Sequence, residues 1–372
     1  AQTVHTPSGE ETFVVVKSLT TPDAEPASSA AQSDLVSTSY VSEEAKPCCT
    51  CCQHGGPASP CNCIWCRKEL TGDWWGRRTC LAEHGIVYKA SITQFYQGVT
   101  SGGNEQVFRY GDKIDQYFIF DSEKLGLWKG GKLIMHGESQ LGQSSIADAP
   151  ALAPVNSAML FPLPGDPVTS ITTFQFEQEL GHGYVATLGK FNFVDLWQTL
   201  YPEFGSGLDG FMNTSVIAPL NVVPTLPIVF NGAGLLKAGE RGIEGGVMAI
   251  DSKTTATQIA PRLFDNGVTI FGFARKFTDF GGLPGSHLFG ATYATGEFTS
   301  LDRAGWHLFP GQGLVAPRKT GSWLAAYVLD QKLWVDPCNE KRSIGLWGMT
   351  GFSDPETSPY AATMNASIQA FG

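Results

Sequence analysis

The sequence predicts an all-β protein, and three observations carry that reading. From Ile86 onward, apolar and polar residues alternate with period two in run after run, separated by Gly-, Pro- and Asn-rich turn signals. Glycine is abundant, at 43 of 372 residues, against a norm of roughly 7%. Charged residues make up only 16% of the chain, below the roughly 25% usual for soluble domains. Two all-β architectures fit. One is a soluble β-sandwich; the other is a transmembrane antiparallel barrel, whose strands need only about 9–11 alternating residues each.

Residues 1–47 are rich in Ser, Thr, Ala, Pro and Glu, with one strand-like run, Phe13-Val14-Val15-Val16, and read as a flexible polar tail. Residues 48–69 hold Cys48, Cys49, Cys51, Cys52, Cys61, Cys63 and Cys66, and Cys80 follows on the next element. Cys63-Ile64-Trp65-Cys66 is a CxxC, but Arg67 stands where haem attachment needs His. Adjacent cysteines suit tetrahedral zinc or an iron–sulfur cluster poorly, so at least two disulfides and no metal are expected. Eight of the nine cysteines fall between 48 and 80, which points to an oxidising compartment. Ala1-Gln2 lacks the opening of a signal peptide, so the expectation is a signal already removed.

Residues 70–85 read as a helix. Leu70-Thr71-Gly72-Asp73 is its entry, with Thr71 or Asp73 as N-cap, and Gly85 is its stop. The helix itself is expected over 72–84 and carries Trp74, Trp75, Arg77 and Arg78. It is too short to be stable alone and must dock.

The clearest strands are expected at 87–97, 106–121, 132–141, 170–180 and 184–192, with a Pro-rich loop at 148–167. Weaker ones follow near 211–217, 231–237, 243–252, 266–276, 286–296, 321–333, 341–350 and 360–371. Turn signals such as Asp265-Asn266-Gly267, Phe280-Gly281-Gly282-Leu283-Pro284-Gly285 and Asp336-Pro337-Cys338-Asn339 separate them. Ile114, Phe118, Phe120, Leu133, Met135, Phe174 and Phe176 fall on one face. Asp115, Asp121, His136, Glu138, Gln140, Glu177 and Glu179 fall on the other. Spacing alone does not say which face is inward.

Several function classes are excluded. The longest apolar run, 215–230, is broken by Pro219, Pro224 and Pro227, so no transmembrane helix is present. The net charge of −10 offers no basic stripe for nucleic acid. The carboxylates recur along several strands without a nucleophile, which argues against a glycosidase and against enzymatic activity; no catalytic residue or cofactor is expected.

The run 70–85 resembles the LTGDWGG-R-x-L-x-x-x-G-I opening of the OprB-type carbohydrate-selective porins of Gram-negative outer membranes. The resemblance continues through Asp121-Ser122-Glu123-Lys124-Leu125-Gly126-Leu127-Trp128-Lys129-Gly130-Gly131, Gly189-Lys190-Phe191 and Phe211-Met212-Asn213-Thr214-Ser215. It resumes at Phe280–Gly285, Tyr293-Ala294-Thr295-Gly296-Glu297-Phe298 and Gly321-Ser322-Trp323, and so covers roughly residues 70–372. Trp75 stands where the family usually has Gly, Cys80 where a basic or polar residue is common, and residues 1–69 have no counterpart.

The resemblance implies a 16-stranded antiparallel outer-membrane barrel over residues 86–372, with its apolar face on lipid and its charged face on water. Sugars and small hydrophilic solutes would diffuse passively through the lumen, and the protein would be a homo-oligomer, a trimer. The pore lining would then comprise Arg109, Lys113, Asp115, Asp121, Lys132, His136, Glu138, Gln140, Glu177, Glu179 and Lys190. His136 would be a hydrogen-bonding residue there, with no second His or Cys at metal spacing. Trp128, Trp197, Trp306, Trp323, Trp334 and Trp347 would form an interfacial belt. The helix would sit at the periplasmic mouth, anchored by Trp74 and Trp75, with Arg77 and Arg78 facing barrel carboxylates. The alternative is a structural envelope barrel, tethered or cross-linked to partners through its cysteines. About 13 strands can be counted against the even number of bacterial barrels. Some three further strands, about 60–90 residues at two strands per hairpin, are therefore expected after Gly372.

Overall fold

The computed structural model describes residues 69–160, 167–202, 211–252, 256–257, 262–311 and 313–372. The tail and the seven cysteines of 48–66, with their expected disulfides, lie outside them.

One antiparallel sheet dominates, and each of its strands pairs with its neighbours in sequence. Its first half is β1 (Ile86–Gly98), β2 (Phe108–Asp121), β3 (Gly131–Gly142), β4 (Val168–Gly181), β5 (Tyr184–Asn192) and β6 (Val229–Gly239). Its second half is β7 (Gly242–Asp251), β8 (Val268–Phe280), β9 (Leu283–Thr299), β12 (Arg318–Asp336), β13 (Asn339–Ser353) and β14 (Ala362–Phe371). A small hairpin, β10 (His307–Phe309) and β11 (Gly313–Val315), stands apart within the connection from β9 to β12.

At one end of the sheet the connections are tight. His182-Gly183 and Gly281-Gly282 both take positive φ at two successive residues, the geometry of a type I′ hairpin turn. At the other end they are long, notably 142–168 and 192–229. Short turns at one end and long loops at the other are the habit of membrane barrels.

The strand count differs from both expectations. Among the described residues the sheet has twelve strands, fourteen with the separate hairpin, not sixteen. The run 211–217 is not a strand: Asn213 accepts from the Ser215 amide and caps a short helix, α3 (Thr214–Ile217), whose local capping overrides the β-branched composition. β1 and β14 are the two edges of the sheet and do not pair, so no closed barrel forms among the described residues.

The N-terminal helix is also shorter than expected. α1 spans Arg77–Glu83 with Gly76, not Thr71 or Asp73, at its N-cap, because Trp74, Trp75 and Gly76 all take left-handed φ. Asp73 instead accepts from the Thr79 amide and hydroxyl. The helix packs at the short-turn end beside β1, where Arg78 donates to the Tyr88 carbonyl and Trp74 lies 6.1 Å from the Tyr88 ring. Trp75 is 97% exposed and anchors nothing. Arg77 is exposed, and Arg78 pairs with Glu69, 3.5 Å away, not with a strand carboxylate.

One face of the sheet is covered by the long connections and the other is open. The open face is a band of exposed apolar side chains, including Ile92, Phe118, Phe174, Val247, Ile270, Phe289 and Phe352. The covered face divides in two. On β6–β13, Leu236, Met248, Ile250, Phe271, Phe273, Leu288, Leu324, Val328, Trp347 and Met349 pack against a second helix, α2 (Phe193–Leu200), and against α3 and residues 220–226. On β2–β4 the same face carries charge. Trp197 and Trp347 belong to this packed interior and not to a belt, since both are buried and the indole N–H of Trp347 reaches the Val216 carbonyl of α3.

Candidate functional site

Register builds the charged side of the covered face. On β2 and β3, Lys113 lies opposite Gln140, Asp115 opposite Glu138, and Tyr117 opposite His136; Thr173 of β4 completes the row beside His136. Period two brings all of them to one face.

Buried charge is costly unless each group finds a partner, and here they do. The Lys113 ammonium lies 2.7 Å from Glu138 and 3.4 Å from Asp115. His136 is held from both sides, Nε2 at 3.0 Å from Asp115 and Nδ1 at 2.9 Å from Asp195 of α2. Carboxylates only accept, so both ring nitrogens carry protons in this arrangement. Asp195 also accepts from the Tyr117 hydroxyl at 3.0 Å and the Thr173 hydroxyl at 2.6 Å. The Tyr117 ring stacks on the imidazole with centroids 3.8 Å apart. Asn192 donates to Glu138 at 2.9 Å. Donor atoms of Asp115, His136 and Glu138 lie within 4.8 Å of one another, a spacing that suits a cation. Lys113 already places its ammonium against two of these three residues.

The other expected lining residues are distributed along the strands. Towards the long connections, Arg109 grips Asp148 and Glu105, each at 2.8 Å. That guanidinium holds the Asp148 carboxyl below the usual carboxylate range. Gln140 donates to the Met159 carbonyl. At the short-turn end, Asp121, Lys132, Glu177 and Glu179 line a small cavity with Glu123 and Val185. Lys190 is buried and donates to the Ala256 carbonyl at 2.8 Å. The structure thus joins Lys113, Asp115, His136 and Glu138 in one network and places Arg109 and the Asp121–Glu179 group elsewhere.

Sequence reasoning missed Asp195, Asn192, Tyr117 and Thr173. A signal for two of them exists. Asn192 three residues before Asp195, ahead of an apolar run, is a helix start, and Asn192 does cap α2 by accepting from the Val194 amide.

Residues 105–372 match the family described as carbohydrate-selective porin, OprB family. The chain belongs to the OprB family. This is a family of outer-membrane transport channels and not of enzymes. A structure of Pseudomonas putida OprB at high pH aligns with 82% of this chain and 75% of its own, with a TM-score of 0.64 and 16% identity. The low-pH structure of the same protein covers 81% and 76%, with a TM-score of 0.45 and 15% identity. At 16% identity the likeness to the high-pH structure is one of fold. No curated protein matches the chain.

Proposed function

We propose that this OprB-family chain forms a passive passage for sugars and other small hydrophilic solutes, running along the charged side of its covered face. The observation that carries the reading is the division of that face. The apolar side on β6–β13 is packed solid with α2, α3 and residues 220–226, which leaves water the polar side on β1–β4. There the half-buried Lys89, Ser91 and Thr93 stand in register with Tyr117, Asp115 and Lys113. Arg109, Asp121, Lys132 and Glu179 are half-buried too and extend the lining towards both ends. Such a wall offers a solute many hydrogen bonds, each weak enough to release it. Swelling of liposomes that carry the folded protein, measured with a mono- and a disaccharide, tests the reading. Folded protein that admits neither sugar and conducts no ions across a planar bilayer would refute it.

A second reading, an envelope anchor cross-linked through cysteines, has support of its own. Cys80 on α1 and Cys338 in the β12–β13 turn are both exposed, and both lie at the short-turn end. Non-reducing electrophoresis of envelope extracts tests it: a higher-mass species that collapses on reduction is expected, and its absence refutes the anchor.

A further inference from the structure

We infer that Asp195 and Arg275 are positioning residues that set the width of this passage. They pin the two ends of α2 to stretches of sheet separated by β5, β6 and β7, so the helix stands across the interior as a fixed strut. The inference rests on the porin reading above.

The first end is bolted to the charged wall. Asn192 caps the helix with its side-chain oxygen and donates from its amide to Glu138. One turn on, Asp195 accepts from Tyr117, His136 and Thr173, which come from three adjacent strands. His136 is itself braced by Asp115, and Asp115 by Lys113. The carboxylate therefore meets a preformed row of donors, and its charge makes these bonds stronger than neutral ones.

The second end is bolted to β8. Arg275 donates from Nη1 to the Leu200 carbonyl at 2.6 Å, the last residue of α2, and places a cation at the helix C-terminus where the peptide dipoles favour one. The guanidinium is held in turn. It lies 4.5 Å from the Tyr201 ring centre and 4.6 Å from that of Phe277, and its Nε and Nη2 both donate to the Ser286 hydroxyl. Eight residues of helix span about 12 Å, so two polar anchors and one rigid rod bridge the interior.

Packing alone does not do this. Phe193, Trp197 and Leu200 are buried against the apolar side, but the hydrophobic effect that holds them there is non-directional. The directional bonds at its two ends fix height and rotation. They thereby fix how far the helix stands into the water path beside Lys89, Ser91 and Thr93.

Single-channel recording on the full chain in planar bilayers tests the inference, with heat-modifiable electrophoretic migration as the separate readout of folding. Asp195→Ala and Arg275→Gln are expected to change the unit conductance by about twofold or more and to raise open-channel noise, while migration stays that of the wild type. Asp195→Asn keeps an acceptor oxygen and is expected to fall between. Tyr117→Phe loses one hydroxyl but keeps the ring, and is expected to raise noise with a smaller change in conductance. Wild-type conductance tests the porin reading, and the ratio of variant to wild type tests the strut. Folded variants that all conduct and fluctuate as the wild type does would overturn the strut alone. A wild type that conducts nothing overturns both. Should Asp195→Ala fail to fold, Tyr117→Phe and Arg275→Gln decide by the same ratio.

Discussion

A histidine with a carboxylate on each nitrogen has no rotational freedom left, and His136 shows how single residues in this protein are fixed by their partners. Trp347 is fixed in the same way by apolar neighbours. It is fully buried, edge-on to Tyr201 at 4.7 Å and to Trp197 at 6.2 Å, and its indole donates to Val216. Trp347→Ala removes the ring from a packed interior and is expected to cost about 3–5 kcal/mol. Trp347→Phe should cost less, because it loses the hydrogen bond and keeps most of the packing. Urea unfolding of protein folded into lipid vesicles measures both. Asp148 gives a pH dependence. Its bond to Arg109 lowers its pKa in the folded state, so its contribution is complete above the unfolded carboxylate value of about 3.9 and is lost as pH falls through the lower folded value. Acidification through that lower folded value should therefore release the 142–168 connection from β2. Hydrogen exchange across residues 143–150 at low and neutral pH checks this, and Asp148→Asn should show the released pattern at both.

Among the elements, β5 depends on one backbone angle. Gly189 has φ of +132°, and a Cβ there would collide with the Phe174 carbonyl of β4, which cannot yield without breaking the ladder. Gly189→Ala is expected to destabilise the β4–β5 pair by about 1–3 kcal/mol, read as a lower urea midpoint and faster amide exchange at residues 185–191. Elements also explain where pattern reading failed. The run 211–217 contains strand-forming residues, but Asn213 satisfies the Ser215 amide locally, and a cap decided what composition left open. In α1, Thr71 and Asp73 looked like caps, yet three successive residues with positive φ moved the helix start to Gly76. Left-handed φ at Trp74 and Trp75 is not written in a propensity scale, since non-glycine residues seldom adopt it.

Over the whole molecule, the open apolar face has to meet lipid if the chain is a membrane channel. Val247 lies in the middle of β7 on that face and is 51% exposed. Val247→Arg should cost about 2–4 kcal/mol of folding free energy in vesicles if it sits near the bilayer midplane, whereas Val247→Leu should cost almost nothing. A small effect of the arginine would place this strand's open face in water. The same experiment in detergent micelles, where the bilayer is absent, should show a smaller penalty for the arginine.

By itself the sequence determined the all-β class, most strands to within a few residues, and the partition of each strand into two faces. It did so because side-chain direction alternates along a strand, so Lys113 shares a side of β2 with Asp115 and His136 shares a side of β3 with Glu138. The register of the two strands then puts both pairs on one face. The family was legible too, since its motifs are contiguous in the chain. Only the tertiary structure decided which of those residues meet. Asp195 joins them from a helix 59 residues beyond His136, and Arg275 closes the far end of that helix from 75 residues beyond Leu200. Nor could period two show what covers the apolar side of β6–β9, because an apolar face looks the same whether α2 or lipid lies against it. That choice belongs to the long connections, whose path is set by where buried polar groups find partners.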